Sequence, residues 1–178
     1  MFKMIAATSS LVITSLLPCL AHAEAESQAK PINLALFTPV QIFPKEASIH
    51  GFRFSLLYGV NHEMHGFDLG LVNRATGSVV GMQWGIVNWS ESTLKGLQLG
   101  AVNYLDGESV GGQVGTVNIQ QAGTGLQWGI VNYSPRVKGL QLGLVNVTDE
   151  LKGLQIGLVN VAKNGFLPVF VLFNFNFD

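Results

Sequence analysis

The chain has 178 residues, enough for one domain of ordinary size, and its formal net charge of −1 excludes the basic surface that nucleic-acid binding requires. Only 12% of the residues are charged, about half of the usual share in a soluble protein. With 48% hydrophobic residues and 21 glycines, the composition is typical of a chain that contacts lipid or packs against many similar units.

Residues 1–23 are predicted to be a secretory signal peptide. Lys3 provides a positive start, an apolar segment follows, and Ala21-His22-Ala23 matches a small-x-small cleavage site. We therefore expect export through the inner membrane, to the outer membrane or the periplasm, with Glu24 as the first mature residue. Cys19 is the only cysteine, so the mature chain is expected to have no disulfide and no cysteine ligand for a metal.

The rest of the chain is predicted to be a single repetitive β domain over residues 32–178, after a polar lead-in at residues 24–31. Flanking strands are expected at residues 32–43 and 166–177, with the repeats between them at residues 51–164. Eight repeat units open at glycines that lie 14 or 15 residues apart. These opening glycines are Gly51, Gly66, Gly81, Gly96, Gly111, Gly125, Gly139 and Gly153.

From the second unit onward, every unit contains Gly-x-x-x-Gly-x-Val-Asn, and the first unit is a degenerate copy with Ser55 and Tyr58 at the second Gly and Asn positions. The two-residue period of a strand places Leu97, Leu99 and Asn103 on one face of a unit, and Gln98 with the glycines on the other. Two glycines in each unit would cost a helix about 1 kcal/mol apiece, so the pattern favours strands.

Two rows of polar side chains are the candidate site residues of this domain. A strand pairing that places Gly opposite Gly also brings the central polar residues of neighbouring units together, and it pairs a cation with an anion in the first two units. The predicted inward row is Arg53, Asp68, Gln83, Gln98, Gln113, Gln127, Gln141 and Gln155. The predicted asparagine row is Asn73, Asn88, Asn103, Asn118, Asn132, Asn146 and Asn160.

The segment Gly-x-Gln-x-Gly is symmetric about its glutamine, which suits an antiparallel meander. Eight units with one strand on each side give about ten strands, an even number that can close into a barrel. The leading prediction is therefore a small outer-membrane barrel with leucine and tryptophan facing lipid. Its role would be structural, or that of a narrow pore lined by glutamine.

The alternative is a parallel β-solenoid in the periplasm or on the cell surface, with one coil for each unit, which binds a partner or a polymer. In that fold the leucines are expected to point inward and the asparagines to stack in a ladder. The absence of alternation in linker length favours this alternative. The single obvious turn in each unit favours the barrel, because a coil needs at least two turns.

No catalytic, cofactor-binding or metal site is predicted, and we expect a protein that is not an enzyme. Residues 107–111 fit the Gly-x-Ser-x-Gly nucleophile elbow, but all four histidines precede Ser109 and no helix follows it. His62 and His65 are separated by two residues rather than the three of helical zinc proteases, so a surface turn is expected, with weak metal capture as the lesser alternative. Outer-membrane lipid is the expected partner, and a protein partner is left open.

The repeat frame, the segment Leu-Phe-Thr-Pro-Val-Gln-Ile-Phe-Pro before it and the phenylalanine-rich end resemble a family of short secreted proteins of marine Gram-negative bacteria with Gly-x-Gln-x-Gly-x-x-Asn repeats. The resemblance covers most of the mature chain and implies no activity and no functional residue. Such proteins sometimes carry a polyhydroxyalkanoate synthase name. Those synthases are much larger and use a cysteine, which the mature chain is expected to lack, so the name would be an error.

Overall fold

The computed structural model describes residues 29–178 and shows a β-solenoid, in which the chain winds through stacked coils. The predicted signal peptide at residues 1–23 and most of the polar lead-in lie outside the described residues. Residues 29–178 contain no helix of the length and hydrophobicity that a membrane-crossing helix needs. The strands are β1 (Lys30–Phe37), β2 (Val40–Gln41), β3 (Ile49–Asn61), β4 (Met64–Ala75), β5 (Val79–Trp84), β6 (Val87–Ser90), β7 (Leu94–Trp128), β8 (Val131–Tyr133), β9 (Arg136–Leu142), β10 (Val145–Thr148), β11 (Glu150–Ala162) and β12 (Val169–Asn176).

The third repeat unit shows how one coil is built. Strand β5 forms its first side, a bend at Gly85 and Ile86 forms the first corner, β6 forms the second side, and residues 91–93 form the second corner. Both sides pair in parallel and in register with the coils before and after, so that identical positions of successive units are neighbours. Other strands continue through the corners, and the 35 residues of β7 cover more than two coils.

The opening glycine of each unit is required by the close approach of neighbouring coils. Gly96 has φ +140° and Gly111 has φ +137°, a conformation that L side chains rarely adopt. A Cβ atom at Gly111 would overlap the carbonyl oxygen of Gly96 in the preceding coil. Because all eight opening glycines have a positive φ, each coil repeats this constraint, and the repeat frame follows from it.

Strands from outside the repeats cover both ends of the array. At the start, β1 pairs in parallel with β3, and β2 pairs antiparallel with β1. At the end, β12 pairs antiparallel with β11. An open sheet edge is a template for aggregation, and these strands cover the outer edge of the first and of the last repeat coil.

The predicted antiparallel meander closed into a barrel was wrong, and the alternative, the solenoid, describes the structure. A symmetric motif places Gly opposite Gly in a parallel stack as well as in an antiparallel one, so symmetry did not distinguish them. Each unit also has the second turn that a coil needs. In the second to eighth units that turn lies at the second glycine, and the residue after this glycine is Leu, Ile, Ala or Thr, which are not typical turn residues.

The expected distribution of side chains between the faces also needs correction. The corner after Leu99 interrupts the two-residue alternation, so Asn103 points inward together with Gln98, whereas Leu97 is exposed and Leu99 is half-buried on the outside. The leucines of the repeat motif therefore lie outside the coil, contrary to the expectation for a solenoid. The buried apolar residues lie mainly beside the second corner, in one cluster of Ala47, Ile49, Met64, Ala75, Val79, Leu94 and Leu105 and another of Val137, Leu151 and Ala162.

Candidate functional site

The inward row of charged and glutamine side chains runs continuously along the axis of the solenoid. From Gln98 onward, each glutamine donates its Nε2 hydrogen to the Oε1 atom of the glutamine in the preceding coil, over 2.7–3.0 Å. Gln83 donates in the same direction to Asp68 Oδ2 over 2.9 Å. All eight side chains are buried: Arg53, Asp68, Gln83, Gln98, Gln113, Gln127, Gln141 and Gln155.

The asparagine row runs parallel to the glutamine row but has the opposite hydrogen-bond direction. Asn73 Nδ2 donates to Asn88 Oδ1 over 3.0 Å and to the carbonyl oxygen of Trp84, which precedes the first corner of the next coil. The same pair of bonds recurs through Asn146, and Asn160 donates to Gly157 and to Phe170 of β12. The buried members are Asn73, Asn88, Asn103, Asn118, Asn132, Asn146 and Asn160.

The ends of the two rows account for most of the unpaired buried polar atoms among the described residues. Asn73 Oδ1 begins the asparagine row and Gln155 Oε1 ends the glutamine row, and neither has a donor. The third such atom is Ser55 Oγ, at the degenerate glycine position of the first unit. Within each row, therefore, the amides bond to one another and to backbone carbonyls, and the glutamines are buried rather than open to a channel. The predicted pore lined by glutamine is wrong for this reason.

Arg53 and Asp68 form a fully buried ion pair at the start of the glutamine row. Arg53 donates from Nε to Asp68 Oδ1 over 2.7 Å and from Nη2 to Asp68 Oδ2 over 2.5 Å, and both side chains are 0% exposed. Its Nη1 group donates to Asn61 Oδ1 and to the Arg74 carbonyl. Because Asp68 only accepts, it receives donors from Arg53 on one side and Gln83 on the other, and it fixes the direction of the glutamine row.

Replacement of Gln127 by leucine tests the energetic contribution of the row. The Gln141 Nε2 group and the Gln113 Oε1 atom would each lose the partner that Gln127 provides. Two buried polar groups left without partners should lower the free energy of unfolding by roughly 2–4 kcal/mol. Urea denaturation should show this loss in Gln127→Leu and a change within about 0.5 kcal/mol in Gln121→Leu, since Gln121 is exposed on the same coil array.

The outer surface at the first corner is uncharged and mostly apolar along the array, and we call it the apolar corner. Its corner row contains Leu71, Ile86, Ala101, Thr116, Ile130, Leu144 and Leu158, and none of these residues is charged. Exposure is large for apolar side chains, at 55% for Ile86 and 59% for Leu158. A contiguous exposed apolar surface in a folded protein marks a surface that contacts something else.

A groove follows the apolar corner because small residues lie between two rows of large ones. In the fifth to eighth coils, Trp128, Leu142 and Ile156 form one wall and Ile130, Leu144 and Leu158 the other, around a volume of about 840 Å³. The second glycines of these units, including Gly129 and Gly143, lie between the walls. A second groove, of about 390 Å³, continues the surface over the first three coils.

The charged residues on the outside of the repeats lie at and beside the second corner, which we call the polar corner. Ion pairs join neighbouring coils there, with Arg74 Nη2 2.5 Å from Glu91 Oε1 and Lys163 Nζ 2.8 Å from Asp149 Oδ1. The hydrogen bonds that Arg74 donates to Tyr58 and Glu91 raise the pKa of Arg74, and the bond that Lys163 donates to Asp149 raises the pKa of Lys163. Both cations therefore keep their charge throughout the physiological range.

The boundary between the two corners carries aromatic and lysine side chains. On the second side of the coils, Trp89 and Tyr104 make an edge-on contact with ring centroids 5.8 Å apart. On the first side, Lys95 and Lys152 are exposed at the position next to the polar corner. Amphipathic side chains of these types prefer a boundary between an apolar and an aqueous medium.

The Gly-x-Ser-x-Gly motif and the histidine-containing turn, which the sequence also contains, lie in different surroundings. Ser109 is 5% exposed, and its hydroxyl donates to Gln120 Oε1 over 2.6 Å, so this hydroxyl is already engaged in a buried hydrogen bond. His65 lies beside His50 and Glu63, whose ligand atoms are all within 4.8 Å of one another. Sequence reasoning missed His50 because it is fifteen residues from His65 and comes close only when coils stack in register.

Sequence reasoning also missed the apolar groove. The barrel prediction distributed the leucine and tryptophan side chains over a lipid-facing wall, and the solenoid alternative placed the leucines inside the coil. The signal was present, since charged residues are absent from the motif after its second unit and concentrate in the linkers. In comparisons with protein-family models, curated proteins and solved structures, no match to this chain was found.

Proposed function

We propose that this protein is a non-enzymatic component of the bacterial cell envelope that binds lipid membranes with its apolar corner. The observation that carries the proposal is the segregation of the outer surface into an uncharged apolar corner and a charged polar corner on the other side of each coil. The solenoid would lie in the plane of the membrane surface, as an amphipathic helix does.

The dimensions of the array suit this arrangement. Coils that stack at a spacing of about 4.8 Å give the eight repeat units a length of roughly 34 Å between the first and the last. A lipid acyl chain is unbranched and apolar, and the glycine-floored grooves along the apolar corner offer a surface of matching shape and chemistry. Tryptophan, tyrosine and lysine at the boundary would face the headgroups.

Transfer of the apolar corner into lipid would cost little free energy from its backbone polar groups, because they are hydrogen-bonded. On both sides of each coil, the backbone hydrogen bonds join one coil to the next, and the amides of Gly85 and Ile86 at a first corner are also bonded, to Leu99 and Leu71. Hydrocarbon excludes strands whose backbone groups lack partners. Each half-exposed leucine or isoleucine that enters the apolar medium should contribute roughly 1 kcal/mol.

Vesicle flotation tests the proposal with two matched double variants. Ile130→Glu/Leu144→Glu places two charges on the apolar corner, and Thr93→Glu/Gln121→Glu places two at exposed positions of the polar corner. We expect the unmodified protein and the polar-corner variant to float with vesicles of phosphatidylethanolamine and phosphatidylglycerol. The apolar-corner variant should lose about 30-fold in partition coefficient, since two apolar contacts contribute roughly 2 kcal/mol.

Circular dichroism should show that both variants keep the strand content of the unmodified protein. An unmodified protein that stays in the aqueous fraction at every lipid concentration would refute lipid binding. Flotation of both variants alike would refute the role of the apolar corner. If the unmodified protein instead forms a dimer that the apolar-corner variant cannot form, a second copy covers this surface and not lipid.

A further inference from the structure

A cluster of two histidines and one glutamate lies at the N-terminal end of the array, beside the polar corner. His50 and His65 occupy the same position in the first and second coils, and their rings stack with centroids 4.2 Å apart and planes 11° apart. Glu63 lies in the turn that leads from the first coil to the second, one residue before β4 begins. The ligand atoms of the three residues lie within 4.8 Å of one another, so side-chain rotation brings all three to one ion.

We propose that His50, Glu63 and His65 bind a divalent transition-metal ion of the zinc class. Two imidazole nitrogens and one carboxylate oxygen form a ligand set that suits Zn²⁺ and its neighbours in the first transition row. Calcium and magnesium prefer sites made of oxygen ligands alone, which this cluster does not offer. Three protein ligands also leave a coordination position for water or for a group on another molecule.

The stacked rings alone would not indicate a metal, because a solenoid stacks like residues wherever successive units repeat them. Phe52 and Phe67, for example, stack in the same two coils with centroids 5.9 Å apart. The carboxylate of Glu63 distinguishes the histidine pair, since it brings an anionic oxygen to both imidazoles from a different part of the coil.

The backbone of the cluster is fixed, whereas its side chains can adjust. The Ile49 amide donates to the Glu63 carbonyl oxygen over 2.9 Å, and the pairing of β3 with β4 sets the register of the two histidines. His50 is exposed, and Glu63 and His65 are half-buried, so rotation of these side chains can bring their ligand atoms to the distances of roughly 2.0–2.2 Å that zinc requires. The metal would tie the first coil to the second.

Isothermal titration calorimetry of the untagged protein with ZnCl₂ tests the site, and it is independent of lipid binding. We expect one ion per chain. His50→Gln, His65→Gln and Glu63→Gln should each weaken zinc binding by about 100-fold or more, since loss of outer-shell partners alone costs 10–100-fold. His62→Gln is the matched control, because His62 is in the same turn but contacts Thr76, and it should bind zinc as the unmodified protein does.

Cobalt substitution gives a second measurement, because Co²⁺ held by nitrogen and oxygen ligands has visible absorption that reports its geometry. We expect this absorption in the unmodified protein and in His62→Gln, and its loss in His65→Gln. Thermal unfolding without metal should show all variants folded. The proposal is overturned if the unmodified protein shows no saturable zinc binding, or if His62→Gln loses as much affinity as His65→Gln.

Discussion

Replacement of Gly111 by alanine is expected to lower the free energy of unfolding by on the order of 3–5 kcal/mol. The residue has φ +137°, and a Cβ atom there would overlap the Gly96 carbonyl oxygen of the preceding coil. Backbone strain of this kind costs about 1–3 kcal/mol, and overpacking adds a similar amount. Because Gly111 lies in the middle of the array, fraying at an end cannot relieve the clash.

The neighbouring Gly112 provides the control for Gly111. Its backbone conformation is open to any residue, and other units have Phe, Met or Leu at the same position. A Cβ at Gly112 would approach Leu97 Cδ2 and the Leu126 carbonyl oxygen to 3.2 Å, which small adjustments can accommodate. Gly112→Ala should therefore stay within about 1 kcal/mol of the unmodified protein.

Urea denaturation followed by circular dichroism measures both variants, and hydrogen exchange locates the effect. We expect faster exchange of the amides in the fourth and fifth coils of Gly111→Ala, because coils of a solenoid are stabilised mainly by their neighbours. Equal stability of Gly111→Ala and Gly112→Ala would contradict the view that the opening glycine sets the spacing between coils.

The repeat period and the strand character could be read from the sequence because each depends on a local pattern. Glycine at fixed intervals and alternation within Gly-Leu-Gln-Leu-Gly predict strands of a known length. The direction of pairing could not be read in the same way. It depends on the bend at residues such as Gly85 and Ile86, and a glycine followed by an isoleucine does not resemble a turn signal.

The barrel prediction placed the glutamine row inward, but for a solenoid the polarity of the interior was equally hard to predict, because a buried amide is favourable only when its partners are in place. A lone Gln98 inside a coil would be costly, whereas Gln98 between Gln83 and Gln113 uses its amide nitrogen and oxygen in bonds to both neighbours. The repetition that creates the row therefore also makes its burial favourable. A prediction for one unit, made without its neighbours, assigns the leucines to the inside instead.

Amides inside and leucines outside also connect the fold to the proposed function. The row of mutually bonded amides specifies how each coil stacks on the next. The apolar side chains on the outer surface are therefore not needed to specify the fold. The exposed Trp84 and Trp128 are thus available for contact with another medium. In a coil filled with leucine, the apolar residues would be buried in the interior and could not contact lipid.

Disruption of the buried Arg53–Asp68 pair should cause the other large loss of stability. In Asp68→Gln, the guanidinium of Arg53 keeps its bonds to Asn61 and to the Arg74 carbonyl but has no counter-charge in a fully buried position. Loss of one partner of a buried ion pair typically costs 3–5 kcal/mol, and we expect a loss in this range from urea denaturation.

The double variant Arg53→Gln/Asp68→Gln separates the need for charge from the need for a continuous row. It gives the first two coils the glutamine that the next six have at this position, and a glutamine at residue 68 can accept from Gln83 and donate to residue 53 as Gln98 does to Gln83. We expect stability within about 1 kcal/mol of the unmodified protein, because a satisfied neutral pair can replace a buried ion pair at little cost. The double-mutant cycle should then give a coupling energy of several kcal/mol. A double variant as unstable as Asp68→Gln would mean that the ion pair itself, rather than an unbroken row of donors and acceptors, holds the first coil onto the array.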